Sequence, residues 1–594
     1  MRRLVLFGAA LFLATELLGA FHQIRLGPLL VWWLAAATAM VAMGRRPRFP
    51  GFLFDWVVGL CVAGIAVILT LTAVTAAFSP PNSADAMAYH MPRVVYWAEQ
   101  GSVRYFPTPY FNQIMLQPLA EYLMLQTYVL SGGDRFINFV QWFASLASVV
   151  GVVAVAKALG AGSRGQAMAA LFCATLPAGI LASSGAKNDY FLAMWLVAAV
   201  WFALRVAREG RLSDALWLGG ALGFALLTKA TAYLFAPFPI AAILIAGGRA
   251  SLKRVAMLAV VAVGVALGIN APQYVRNYQL SGSVMGFDSA QGDGVYRWRN
   301  DNVGWRQTAS NVMRDLADQM GARSSGWNQG VYGLVLAAHR GLGIDVNDPA
   351  TTWHGSSYGP PVNANHEANA PNRWQLAVLF VAVCVLVWRR DLVGVLYALG
   401  LVCSCIAFCG YLKWQPFFAR LLLPLFVLGA PLVGVALERS RVWMQVALCV
   451  FLLSNARSAV LENWVRPLKG PRSVFHVSRD MQYFADMTQW DNRESYLKTV
   501  DSVARSDCNT VGIDITDFQL EYPLQALLRE RNPRVEFVHS GVTNASGRYA
   551  PSVSAAPCAI VCLECAGDDK RLSLYADFGV RVAAGRFIVL LRRH

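Results

Sequence analysis

The chain carries thirteen apolar runs, and that feature limits its fold more than any other. They lie near residues 4–21, 27–43, 56–78, 137–156, 166–183, 190–205, 214–228, 231–247, 255–271, 374–388, 392–412, 417–437 and 442–455. A helix that crosses a bilayer needs about 20 mainly apolar residues, and backbone in hydrocarbon must satisfy its own hydrogen bonds. The runs therefore predict a polytopic α-helical membrane protein with about 13 transmembrane helices. Composition agrees, since only 14% of the 594 residues are charged and the mean hydropathy is +0.43. Soluble domains carry roughly a quarter charged residues, so a soluble enzyme, a disordered chain and a small disulfide scaffold are excluded. The net charge of +16 is spread between apolar runs rather than gathered on one basic face. Membrane lipids, not nucleic acid, are the expected surroundings. The first run opens with Arg2 and Arg3, contains Glu16 and lacks a small-residue cleavage site, so it reads as a retained span.

Lys and Arg give the orientation. Arg2/Arg3, Arg45/Arg46/Arg48, Lys157/Arg164, Arg205/Arg208/Arg211, Arg249/Lys253/Arg254, Arg389/Arg390 and Arg439/Arg441 fall in every second connection. This positive-inside pattern predicts a cytoplasmic amino terminus and, with an odd number of spans, an external carboxyl terminus. In a bacterial inner membrane that side is the periplasm. Residues 79–136, residues 272–373 and everything beyond 455 then lie outside. The expected division is a transmembrane domain over 1–455 and a small periplasmic α/β domain over 456–594.

Within that second domain, Cys508–Ile515, Arg534–Val538, Cys558–Glu564 and Phe587–Arg592 read as strands, with a helical stretch from Glu521 to about Arg529. Strands alternating with helix suggest an α/β unit, and no glycine-rich phosphate loop accompanies them. Cys508 and Cys558 each open a strand, so a bridge between them is expected if the strands are neighbours. Cys562 and Cys565 are compatible with a disulfide, plain burial, a redox pair or part of a zinc site. Cys61, Cys173, Cys384, Cys403, Cys405, Cys409 and Cys449 lie in spans, where a thiol serves as a small apolar group.

The candidate chemistry sits at outer span ends. The first outer loop reads Ser79-Pro-Pro-Asn-Ser-Ala-Asp85-Ala-Met-Ala-Tyr89-His90-Met-Pro-Arg93. If it is helical, Tyr89 and Arg93 share the face of Asp85, with His90 slightly round from it. A carboxylate, a cation and an aromatic at the membrane surface suit a lipid-linked phosphorylated substrate. The same residues equally suit a juxtamembrane helix capped by Ser83, with Asp85 favouring its first turn. Lys187-Asn188-Asp189 reads by itself as a polar turn. Lys229 sits where two short spans meet, and snorkelling explains it without function, although ionisable groups at membrane depth are functional candidates. Arg420 lies inside the start of a span and needs a partner or a cavity. His366 and Glu367 are adjacent and poorly placed to share one metal ion.

Taken in order, Asp85 to Pro92, Lys187-Asn-Asp189, Leu227-Thr-Lys229 with Pro237, Tyr274-Val-Arg276-Asn277, Arg420 to Pro424 and Cys508…Glu521-Tyr-Pro…Cys558 resemble one family. It is the GT-C type of membrane-embedded glycosyltransferase, of the protein O-mannosyltransferase and aminoarabinose-transferase kind. The resemblance implies a GT-C fold and inverting transfer of a sugar from a polyprenyl-phosphate donor to a glycan, lipid or protein acceptor. It makes Asp85 the candidate base and gives Lys229, Arg276 and Arg420 phosphate-facing roles. Asp189 becomes an accessory acid or, as in metal-using relatives, a ligand for a divalent cation. Tyr89, His90 and Arg93 line the substrate side. Two features depart from the pattern: Ala84 and Ala86 flank Asp85 where many relatives carry an acidic pair, and the first two spans form an extra hairpin.

One carboxylate is chemically sufficient. A glycosidase needs two because its alkoxide leaving group must be protonated, whereas a polyprenyl phosphate leaves as a stable anion. The site needs a base for the acceptor hydroxyl and positive charge where phosphate charge develops. A transporter or lipid flippase is the alternative reading, and it predicts ionisable groups at mid-span and repeated broken helices. The loop over 272–373, with Trp298, Trp305, Trp327 and Trp353, is expected to cover the site, or else to be a passive surface connection.

Overall fold

The computed structural model describes residues 1–42, 55–248, 250–486, 489–516, 518–550, 556–563 and 565–592. Arg45, Arg46, Arg48, Arg249 and Glu564, used in the sequence reading, lie outside them. Helices dominate. They are α1 (Arg2–Ala20), α2 (Leu26–Ala42), α3 (Trp56–Phe78), α4 (Met91–Gln100), α5 (Leu119–Ser131), α6 (Phe139–Ala158), α7 (Ser163–Ala174), α8 (Asp189–Glu209) and α9 (Leu212–Thr228). There follow α10 (Pro237–Ala246), α11 (Leu252–Ser281), α12 (Trp305–Asp318), α13 (Ser325–Leu342), α14 (Arg373–Trp388), α15 (Leu392–Tyr411), α16 (Leu423–Leu437) and α17 (Val442–Leu461).

Among the described residues, seven helices are long and apolar enough to cross a membrane, and five shorter apolar helices accompany them. The remaining predicted run, 166–183, is broken. It divides into α7 and a short Pro177–Ala182 helix, because Pro177 cannot donate to the preceding turn. Proline also divides two other runs, at Ala236-Pro237 and just before Pro424. In α11 the opposite happens. Pro272 sits inside a helix that continues to Ser281 and stops at Gly282 (φ 73°), so the connection begins ten residues later than expected.

Breaks also shape the segments that carry Asp85 and Arg420. Ser79-Pro80-Pro81 closes α3, and the chain then makes a five-residue π turn, Ala86–His90, before α4. The short Phe418–Leu421 helix carries Arg420 just ahead of α16.

After α17 the chain reaches α18 (Gln489–Ala504), β1 (Thr510–Asp514), α19 (Tyr522–Arg531), β2 (Glu536–His539), β3 (Ala559–Cys562), β4 (Val580–Ala584) and β5 (Phe587–Leu591). The sheet order is β2-β1-β3-β5-β4, parallel through its first three strands and antiparallel after them. Four of the strands follow the apolar runs in the sequence. β4 escapes that reading because it is an edge strand with most of its residues exposed. β1 and β3 are neighbours, and Cys508 and Cys558 at their starts form a disulfide, as do Cys562 and Cys565.

This strand-containing domain grips the connection that follows α3. Asp134 accepts hydrogen bonds from Tyr483 (2.6 Å), Tyr522 (3.0 Å) and Arg479 (2.7 Å). Buried Glu521 accepts from Tyr96 and Gln113, and the two ring nitrogens of His539 lie 3.1 Å from Glu521 Oε2 and 2.8 Å from the Pro107 carbonyl. Asp486, in the stretch leading into α18, accepts the backbone N–H of Ala84 at 2.8 Å, one residue before Asp85.

Candidate active site

Seven charged side chains from six separate parts of the chain form one alternating series. It runs Arg466, Glu367, Lys187, Asp85, Arg420, Asp189, Lys229. Arg466 contacts Glu367 and also reaches Asn82 Oδ1 (3.0 Å) and the Leu181 carbonyl (3.2 Å). Lys187 Nζ lies 2.7 Å from Glu367 and 3.6 Å from Asp85 Oδ2. Arg420 Nη1 donates to Asp85 Oδ2 at 2.7 Å, and its Nε lies 3.6 Å from Asp189 Oδ2. Lys229 Nζ closes the series on Asp189 Oδ1 at 2.5 Å.

Burial varies along the series in a useful way. Arg466, Glu367, Lys187 and Asp189 are almost fully enclosed, whereas Asp85 and Lys229 each keep 20% of their side-chain surface, with Arg420 between them. Arg466, Glu367 and Lys187 form an enclosed brace, and the remaining exposure belongs to Asp85, Arg420 and Lys229. Burial opposes ionisation of Asp85, but Arg420, Lys187 and His90 outweigh it and hold the carboxyl well below the usual range. Glu367 behaves alike, with Arg466 and Lys187 overcoming its burial. Among the described residues, Asp189 Oδ2, Arg420 Nε and Thr231 Oγ1 are buried and make no hydrogen bond.

The expected cluster of Asp85, Lys229 and Arg420 is thus brought together, along with Asp189. Tyr89 stands half-buried beside them, its ring 4.2 Å from His90 and 6.3 Å from Tyr110. His90 turns inward, and its Nδ1 meets Glu121 Oε1 at 2.8 Å. The π turn sets this geometry: with i→i+5 bonding, residue +5 stands over Asp85 much as +4 would in an α-helix.

Two residues from the sequence reading fall elsewhere. Arg93 is eight residues from Asp85, about 12 Å along a helix axis, and nearer acceptors take its N–H groups. These are Gln113 O (2.6 Å), Leu116 O (2.8 Å) and Glu121 (3.2 Å), with Trp97 beneath the guanidinium. Arg276 is held by both oxygens of Glu16 (2.9 and 2.8 Å) and by Tyr122. The amino-terminal hairpin supplies that carboxylate. His366 and Glu367 point to different partners, His366 to Asp486 (3.0 Å) and Glu367 to Lys187 and Arg466. A divalent cation at Asp85, Asp189 or Glu367 would compete with the ammonium and guanidinium groups already on those oxygens.

In sequence, Lys187 reads only as part of a polar turn and of the resemblance, Glu367 only as a poor metal partner for His366, and Arg466 is not named. Lys187 looked like part of a polar turn, and Arg466 is one of many basic residues beyond a span end, so neither carries a local signal. Of the four loop tryptophans, Trp353 packs on Phe417 (5.5 Å), whose ring lies under the Arg420 guanidinium (5.8 Å). Trp305 and Trp327 remain largely exposed.

Residues 117–274 match the family model of dolichyl-phosphate-mannose-protein mannosyltransferases. That stretch holds Lys187, Asp189 and Lys229, and it bears out the resemblance to GT-C glycosyltransferases over a little more than a quarter of the chain. No curated protein sequence matches. Among solved structures, the chain is similar to ArnT from Cupriavidus metallidurans bound to undecaprenyl phosphate. The TM-score is 0.48 at 15% identity, over 90% of this chain and 98% of that one. It is also similar to the oligosaccharyltransferase AglB from Archaeoglobus fulgidus in complex with an inhibitory peptide and a dolichol-phosphate. There the TM-score is 0.47 at 13% identity, over 90% of this chain and 74% of that one.

Proposed function

We propose that the chain is an inverting glycosyltransferase that moves a sugar from a polyprenyl-phosphate donor to an acceptor hydroxyl at the outer face of the inner membrane. The observation that carries this reading is the charge series, in which Asp85 and Lys229 each keep 20% of their side-chain surface and Arg420 joins Asp85 to Asp189. Support for the orientation comes from the helix ends. The connections bearing Lys157, Arg205, Arg208, Arg211, Arg389, Arg390, Arg439 and Arg441 lie at the opposite ends of their helices from Asp189, Lys229 and Arg420.

Charge counting fits the donor. The series holds four cations and three carboxylates, an excess of one positive charge, and a sugar phosphodiester brings one negative charge. Lys229 and Arg420 receive the phosphate. As the glycosidic bond breaks, charge grows on the departing lipid phosphate, and the same cations stabilise it. Asp85 takes the acceptor proton. In the resting arrangement its carboxyl is a weak base because Arg420 neutralises it, and it becomes a stronger one when Arg420 turns to the phosphate. Binding the donor thereby readies the base.

The test is Asp85→Asn in correctly inserted protein, assayed with a radiolabelled lipid-phosphate sugar. Transfer is expected to fall about 10²- to 10⁴-fold, the usual worth of a general base. Unchanged transfer would remove Asp85 from the chemistry.

A further inference from the structure

We infer that Asp315, Cys405 and Cys409 form a binding site for a thiophilic divalent cation such as zinc, which clamps α12 to α15. The site lies apart from the charge series and does not depend on the glycosyl-transfer reading.

The argument begins with how α12 lies against the last turns of α15. Asn311 donates to the Cys409 carbonyl at 2.9 Å and to the Leu412 carbonyl at 2.8 Å. One turn further along α12, Asp315 faces two cysteines four residues apart, a spacing that puts both thiols on one face of α15. Cys409 Sγ is 3.7 Å from Asp315 Oδ2, and one donor atom from each of the three residues falls within 4.8 Å of the others. Ligands on a tetrahedral zinc at ordinary Zn–S and Zn–O lengths stand about 3.3–3.8 Å apart, so small side-chain adjustments close the set.

Asp315 supplies the second observation. Its side chain is buried, and Oδ1 has no hydrogen-bond partner among the described residues. The adjacent Arg314 does not help, because it turns away to Val346 O, Thr351 and Thr352. An enclosed carboxylate whose only hydrogen bond is a weak one from a thiol is costly and calls for a proton or a cation. Binding therefore displaces a proton from the carboxyl and one from each thiol as one O–metal and two S–metal bonds form, and the protons pass to solvent. Three anionic ligands around a divalent ion leave one negative charge. Water completes the coordination.

The clamp bears on the charge series through Gln319, just past α12. Its amide donates to the Ala419 carbonyl (3.3 Å), next to Arg420, and its oxygen accepts from Asn372 N (2.9 Å).

The full-length oxidised protein, in which Cys508–Cys558 and Cys562–Cys565 are bridged, would be purified in detergent and its metal measured by mass spectrometry. About one zinc per chain is expected, with at least a tenfold loss in Cys405→Ser/Cys409→Ser. Cadmium added to metal-free protein should give a thiolate charge-transfer band that this double variant lacks. Cys61→Ser/Cys449→Ser, which removes the other buried thiol pair beside Met168, should keep that band. If the first double variant fails to fold, Asp315→Asn decides, since it retains both thiols and the side-chain shape. Cadmium affinity should fall at least tenfold in Asp315→Asn. Wild-type protein that takes up neither metal, a band lost only with Cys61 and Cys449, or unaltered affinity in Asp315→Asn would overturn the proposal.

Discussion

Asp85 is charged because of its neighbours rather than its exposure, and that has a consequence for pH. Its folded-state carboxyl titrates below the unfolded value, so its contribution to stability is complete above the unfolded value and disappears as pH falls through the folded one. Loss of transfer through protonation of Asp85 should accordingly appear only below the ordinary carboxylate range. Lys187→Met removes one of the three basic side chains holding it there, and the acid limb of the rate profile should move upward. Initial rates across pH for the two proteins would check this, and coincident limbs would contradict it. Glu367 has a different part. It is enclosed between Lys187 and Arg466, so Glu367→Gln leaves two buried cations short of a counter-ion and should cost about 3–5 kcal/mol of stability. Adding Lys187→Met to Glu367→Gln should restore part of the loss, measurable by unfolding in detergent. At this scale the sequence was partly legible. Asp85 and Arg420 drew notice because a lone carboxylate and an arginine near a bilayer are conspicuous, while Glu367 and Arg466 have meaning only as each other's partner.

The π turn at Ala86–His90 is the element on which the site geometry rests. It lets Asp85 face Arg420 while His90, five residues on, reaches Glu121. Inserting one alanine after Ala86 should break this match and rotate Asp85 and His90 relative to each other by about 100°. Transfer is then expected to drop at least 100-fold with helix content unchanged, as read by the sugar-transfer assay and circular dichroism. Full activity would show that the turn has no such role. Nothing in Ala-Met-Ala-Tyr-His distinguishes a π turn from an α turn, so an α-helical reading was the natural one. It placed Tyr89 and His90 near the site and carried Arg93 too far with them. The breaks at Pro177, Pro237 and Pro424 are different, since proline marks them openly and only the apolar character of the flanking residues hides them.

Across the whole molecule, the strand-containing domain holds the loop that bears Asp85. Asp486 touches both halves of the site, accepting from the Ala84 backbone and meeting His366, the neighbour of Glu367. Asp486→Ala should lower kcat about 10- to 100-fold through a small displacement of Asp85 while changing the donor KM little. A steady-state comparison that found the loss in KM instead would argue against this coupling. The domain itself was visible as apolar runs that alternate with a helical stretch, and the Cys508–Cys558 bridge followed from adjacent strands. Its docking on Asp134, Glu99 and Gln113 had no counterpart in the sequence.

The amino-acid sequence alone determined that this is a membrane protein, roughly where its helices lie, and which polar residues stand at their ends. Those properties are local, because each span must satisfy hydrocarbon by itself and each cation must choose a side of the bilayer. Only the tertiary structure decided which charges meet. Asp85 and Arg420 are 335 residues apart, and Glu367 and Arg466 are 99 apart. A buried ion needs its partner at contact distance, and the packing of helices, not spacing along the chain, determines which partner arrives.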